Sequence, residues 1–209
     1  MRSIIGSLLP RLRRIAASAA GFSATEPSVV VVGMSVLAGT AGPHLQEYLD
    51  AARLTKAQGD VRVLAISIVR LMNDVGQIGA RGGSGPVERP SLLASEGEIP
   101  EAASPEFQPW LDPLDGRRVQ SMAAHLVDNS AGYPTGSAYR RWRGPYVERL
   151  SADPWGCRYA VNVATLAARQ GLVTVVVSPG PNKILESPFQ MTGMQTSGDD
   201  VVGLVWSGW

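Results

Sequence analysis

The sequence predicts an α+β fold in which one long N-terminal helix packs on a small C-terminal antiparallel β-sheet. Three observations predict it. An uncharged run of 20 residues, Pro27 to Gln46, leads directly into an amphipathic stretch from His44 to about Asp74. Valine-rich runs then recur at Arg158 to Val163, Leu172 to Ser178 and Val201 to Trp206, with Gly and Pro between them. One helix followed by several short strands is the pattern of a segregated α+β layer arrangement.

The helix is justified first. Leu45, Tyr48, Leu49, Ala52, Val61, Leu64, Ile68, Leu71 and Met72 recur at three- and four-residue steps, which predicts one buried face. Pro43 interrupts the pattern and predicts a kink, because an interior proline removes one backbone hydrogen bond. Gly59 weakens the helix by up to about 1 kcal/mol relative to Ala. From Phe22 to Asp74 the element would approach 80 Å at about 1.5 Å per residue. The stretch Gly76 to Asp115, with Gly82-Gly83-Ser84-Gly85-Pro86, shows no sustained period and predicts a loop or partly ordered insertion. Arg117 to Asp128 predicts a short helix with Val119, Met122, Ala123 and Leu126 on one side.

Ahead of the helix, residues 1–21 contain Arg2, Arg11, Arg13 and Arg14 and no acidic residue. An ordinary secretory signal places its apolar stretch after the basic residues and before the cleavage site. Here the longest apolar run lies beyond any such site, although Ala17-Ser18-Ala19 does imitate one. The run Pro27 to Gln46 would be about 30 Å long as a helix, enough to span a bilayer. Arg-rich flanks predict a cytoplasmic N-terminus. Without residues 1–21, the other 188 residues (209 less 21) carry 15 Lys plus Arg against 18 Asp plus Glu, a formal charge of −3. No basic stripe points to a nucleic-acid partner. Cys157 is the only cysteine, so no disulfide can form within one chain.

Gly21-Phe22-Ser23-Ala24-Thr25-Glu26, placed just before the uncharged run, resembles the class III leader of type IV pilin-like proteins. The resemblance implies cleavage after Gly21 by a prepilin peptidase, N-methylation of Phe22, and a Glu26 that meets the new N-terminal amine of a neighbouring subunit. The plainer reading of Glu26 is a solvated charge at the positive end of a helix dipole.

A second resemblance is more specific. Gly144-Pro145-Tyr146-Val147-Glu148-Arg149-Leu150, then Asp153-Pro154-Trp155-Gly156 and Tyr159, resembles the core of the major pseudopilin of type II secretion systems. Asp153-Pro154 and Gly156 favour a turn, and Trp155 and Tyr159 would close the sheet onto the helix. The implied fold is pilin-like. Its expected parts are a leader (1–21), a transmembrane and assembly helix segment (22–46), an amphipathic half-helix (47–74), a variable insertion with a short helix (75–143) and a C-terminal β domain (144–209).

The resemblance also implies function. The chain would be an inner-membrane, single-pass subunit with its C-terminal domain in the periplasm. It would assemble as a helical homopolymer with minor pseudopilins, driven through an inner-membrane platform protein, and push exoproteins outward. A type IV pilus subunit for adhesion, motility or DNA uptake is the alternative, as is an anchored periplasmic domain that never polymerises. In the secretion family a late loop often binds calcium. Asp199 and Asp200 match its acidic end, and Asn182 stands where an Asp is common. Adjacent carboxylates suit a hard, oxygen-preferring cation.

An enzyme is not expected. His44 and His125 are the only histidines and lack the spacing of metal ligands. The Gly-rich run at Gly82 lacks the Lys-Ser/Thr of a phosphate loop, and no Ser sits in a nucleophile elbow.

Overall fold

A computed structural model of the chain describes residues 25–81, 87–112, 119–166, 171–194 and 196–207. The fold is mixed α+β, with a helix and a five-stranded mixed sheet. Helix α1 covers Thr25–Val75. By contacts the chain divides into Met1–Gln46 and Glu47–Trp209, so the helix contributes to both units. The helical assignment runs through Pro27, in the first turn where proline is tolerated, and through Pro43. It stops at Gly76, whose φ of +82° supplies the left-handed residue that commonly closes a helix. The Gly76 amide donates to the Met72 carbonyl at 2.7 Å.

The second unit holds the sheet. Its strands are β1 (Ala80–Arg81), β2 (Val87–Glu88), β3 (Leu92–Ala94), β4 (Glu101–Ala102), β5 (Gln120–Ser121), β6 (Ala160–Asn162), β7 (Val173–Ser178), β8 (Ile184–Leu185) and β9 (Val201–Ser207). A short helix α2 spans Met122–Leu126, and 3-10 turns lie at Pro105–Trp110 and Ala164–Leu166. The main sheet has the order β5-β3-β6-β7-β9, and β1-β2 and β4-β8 form two small pairs.

Alternation along the strands divides the interior in two. Leu93, Val161, Val176, Val201 and Val205 share a core with Ala57, Val61, Leu64, Ala65, Ile68 and Leu71 of α1. Leu92, Ala160, Val173, Val175 and Val177 point the other way, into a core with Trp110, Leu185 and Met191. The sheet is therefore covered on both faces, and every residue of β7 is buried. Gly203 of β9 lies so close to the Val61 carbonyl that a Cβ there would stand 2.6 Å from it.

Three expectations are corrected. The sheet is not purely antiparallel, because β3 and β5 pair in parallel. The long excursion between them gives the chain length that a parallel connection needs. The stretch 76–115 is not merely a loop, since it supplies β3, whose three residues are all buried, and Trp110, which is fully buried. Finally, the predicted helix face is buried only from Ala57 onward; Leu45, Tyr48, Leu49 and Ala52 are exposed. Strands β6 and β7 fall within the runs that valine content marked out, and β9 extends the third run by one residue, to Ser207.

Candidate functional site

Gly21 and Phe22 lie outside the described residues, as does the side chain of Glu26, which occupies the first turn of α1. The stretch that follows carries Val29, Val30, Val31, Val32 and Met34, all more than half exposed. Farther on, Tyr48 is 75% exposed, and Leu45, Leu49 and Leu54 are also open. Its polar side chains are accommodated locally: Ser35 donates to the Val31 carbonyl and Thr55 to the Ala51 carbonyl, each at 2.8 Å. No helix among the described residues is long and apolar enough to cross a membrane. The uncharged run has the length, but Gly33, Gly39, Gly42 and its Ser and Thr residues dilute its hydropathy.

The structure brings the three predicted calcium residues together and adds Glu186. The Asn182 amide donates to Asp199 Oδ2 at 3.2 Å, and Asn182 Nδ2 donates to Glu186 Oε2 at 3.2 Å. Glu186 Oε2 also accepts from the Asp199 amide at 3.3 Å. Asp200 Oδ2 accepts from the amides of Glu186 at 3.0 Å and Ser187 at 2.7 Å. Two glycines permit this approach. Both have positive φ; a Cβ on Gly180 would strike the Asp199 carbonyl, and one on Gly198 would strike the Glu186 carboxylate.

What remains unsatisfied matters more. Asp199 Oδ1 and Asp200 Oδ1 are buried and have no hydrogen-bond partner. Burial pushes the Asp200 carboxyl up to about 6 against the pull of its amide donors. A buried carboxylate oxygen without a donor is costly, and a hard, oxygen-preferring cation is one kind of partner for such an oxygen. The donor chemistry therefore fits calcium in part. The fit is open rather than closed: among the described residues no set of three or more His, Cys, Asp or Glu groups converges as a metal set would. Gly198 lies twelve residues after Glu186, and any side chain there would displace that carboxylate.

The turn that carries the pseudopilin resemblance contrasts with this loop. Asp153 is also buried, yet its Oδ1 accepts from the amides of Trp155 at 3.0 Å and Cys157 at 2.8 Å, and its Oδ2 accepts from the Ser178 hydroxyl at 2.6 Å. Trp155 packs against the α1 core. The Tyr159 hydroxyl donates to Asp60 Oδ2 at 2.8 Å, and the Tyr146 hydroxyl donates to Asp74 Oδ2 at 2.8 Å. Two tyrosines thus fasten the C-terminal part to α1, and these residues do structural work. Burial pushes the Tyr159 phenol up, and the Asp60 carboxylate adds to the shift.

His125 is fully buried and bonded on both sides, with Nδ1 2.6 Å from the Tyr133 hydroxyl and Nε2 3.0 Å from Gln120 Oε1. The Gly79 amide donates to the same hydroxyl at 3.1 Å. A neutral ring protonated at Nε2 satisfies every group: it donates to Gln120 and accepts from Tyr133. Burial lowers its pKa to about 4. Cys157 is buried and free, and burial pushes its thiol up, away from a reactive thiolate. No protein-family model matches the chain, and neither a curated protein nor a solved structure matches it.

Proposed function

We propose that the chain is a structural subunit of a pilin-like filament, the major pseudopilin of a type II secretion machine. The observation that carries this reading is the row of exposed apolar residues Val29, Val30, Val31, Val32 and Met34 on α1. Clustered exposed apolar residues of this kind mark an interaction or membrane site. The leader motif at Gly21-Phe22 and the Glu26 spacing supply the assembly chemistry: peptidase cleavage, methylation of Phe22, and a carboxylate that neutralises a neighbour's new amine. On this reading residues 22–46 anchor the subunit in the inner membrane before assembly, with the following domain in the periplasm. The moderate hydropathy of that segment suits a helix that must leave the lipid when it enters the filament. Prepilin peptidase, the platform protein and minor pseudopilins are the partners.

In this proposal the subunit performs no catalysis. Calcium, held through Asp199 and Asp200 with Asn182 and Glu186 beside them, would offset the buried charge of the loop and stiffen it. Chelation is then expected to lower the melting temperature of the wild type and to leave an Asp199→Asn/Asp200→Asn variant unmoved. An equal response of both would remove calcium from the account.

Glu26→Ala is the sharper test of function. The variant should remain in the membrane fraction and fail to form filaments. Filaments in wild-type amounts would contradict the pairing role.

A further inference from the structure

Strand β9 ends the main sheet, and only β7 pairs with it. Among the described residues its backbone makes no hydrogen bond outside that ladder. In an antiparallel pair alternate N–H and C=O groups point away from the partner, so the outer edge of β9 keeps a row of free donors and acceptors. Edge strands are commonly blunted by a charge, a proline, short length or a bulge. β9 spans Val201–Ser207, seven residues with no charge and no proline. Its one irregularity is the register shift between Thr174 and Val175 of β7, which leaves Val201–Leu204 regularly paired.

A groove of about 540 Å³ follows this regular part. Val202, Gly203 and Leu204 form one wall, and Gln58, Arg62 and Ile66 of α1 form the other. The three helical residues are four apart, so they make a single row along α1. Val202 packs into the core on the far side of the sheet, whereas Gly203 faces the Val61 carbonyl of α1. A groove lined by both, and by α1, therefore wraps the edge of the strand rather than one of its faces. Leu204, Ile66 and Met194, which also lines the groove, are exposed. Arg62 is exposed, has no ion pair among the described residues, and is the only charged residue in the groove's lining.

We infer that this groove takes an extended segment of another protein, added to β9 as a further strand, with apolar side chains against Ile66, Met194 and Leu204 and a carboxylate opposite Arg62. Strand addition draws affinity from main-chain hydrogen bonds and specificity from pockets for alternate side chains. Complementary charge then selects the partner. Segments of this chain fit less well. Residues 1–21 carry four arginines and no acid, and β9 of a second copy carries no carboxylate, so either would leave Arg62 unmatched. The exposed acid-rich stretch at 96–101 already commits its backbone, with the Glu98 amide donating to Gly156 and the Glu101 amide to Lys183. Strand, helix row and groove all lie within the second unit, so this site stands apart from the filament reading.

The full chain, in detergent micelles, is titrated into a fluorescein-labelled peptide of alternating valine and threonine with one central glutamate. Fluorescence anisotropy should show saturable binding, and hydrogen exchange should slow at β9 amides in the bound state. A companion peptide with lysine in place of the glutamate should bind about fivefold to tenfold more weakly, the scale of one exposed ion pair and its reversal. Arg62→Glu should invert that preference. Leu204→Lys sets a charge on the edge and should abolish binding. Ile66→Gln should weaken binding from the helix side and leaves the strand untouched. Arg62, Ile66 and Leu204 are exposed, so all three variants should keep the wild-type melting curve. Three results overturn the inference: no saturable binding to the wild type, binding that ignores both peptide charge and Leu204→Lys, or exchange that slows elsewhere than β9. Self-association of the wild type that Leu204→Lys abolishes gives the edge to a second copy instead, and overturns it as well.

Discussion

Two stretches of α1 carry similar apolar content and meet different fates. From Ala57 to Leu71 one face of the helix, Ala57, Val61, Leu64, Ala65, Ile68 and Leu71, is buried in the core, while Val63 and Ile66 on another face are exposed. Val29, Val30, Val31, Val32, Met34, Leu45, Tyr48, Leu49 and Leu54, earlier in the helix, are exposed. Neither period nor propensity separates the two stretches; what differs is whether this chain supplies a surface to cover them. The covered stretch belongs to folding, because its burial is repaid within one molecule. On the proposed reading the uncovered stretch belongs to association, where lipid or another subunit would cover it. The same division appears among the carboxylates. Asp153 has a donor for each oxygen, whereas Asp199 and Asp200 each keep one oxygen unpaired.

Substitutions can break this comparison, beginning with the largest expected effect. Ile68 is fully buried in the α1 core, and Ile68→Ala should cost about 2–5 kcal/mol by lost transfer energy and a residual cavity. Urea unfolding would measure it, and a loss under about 1 kcal/mol would mean that the covered stretch is not what holds the domain together.

Acid should attack the covered stretch next. His125 adjoins the α1 core through Met122 and Leu126, and its folded pKa of about 4 lies below the unfolded value. The unfolded state therefore binds the proton first. The stabilising difference is fully present above about pH 6.5 and is lost as pH falls toward 4, by about 3 kcal/mol in all. Urea midpoints across that range should fall with a slope that flattens in His125→Gln. An unchanged slope would mean the ring is solvated.

The smallest effect on stability should come from the uncovered stretch. Leu49→Gln is expected to change unfolding by no more than about 0.5 kcal/mol, as at most surface positions, while reducing filament yield. If it destabilises the isolated subunit as Ile68→Ala does, the contrast between the stretches fails.

How much of this was legible in the sequence follows the same physics. Strands β6, β7 and β9 were readable because β-branched residues cluster between Gly and Pro. Strand β3 was not, since Leu92-Leu93-Ala94 is three residues long, buried on both faces, and so shows no alternation. The end of α1 was readable from Gly76, but the exposure of Tyr48 and Leu49 was not, because periodicity marks an apolar face without saying what covers it. At the acidic loop, Asp199-Asp200 and Asn182 could be singled out by residue type. Their convergence with Glu186 depends on two turns folding against each other, which no local pattern records.

The central claim is that this chain is a processed filament subunit, and the most direct measurement is the N-terminal mass of the membrane-bound protein with and without the cell's prepilin peptidase. The account predicts peptidase-dependent loss of residues 1–21 and a methylated Phe22. An intact leader, or cleavage near Ala19, would contradict it.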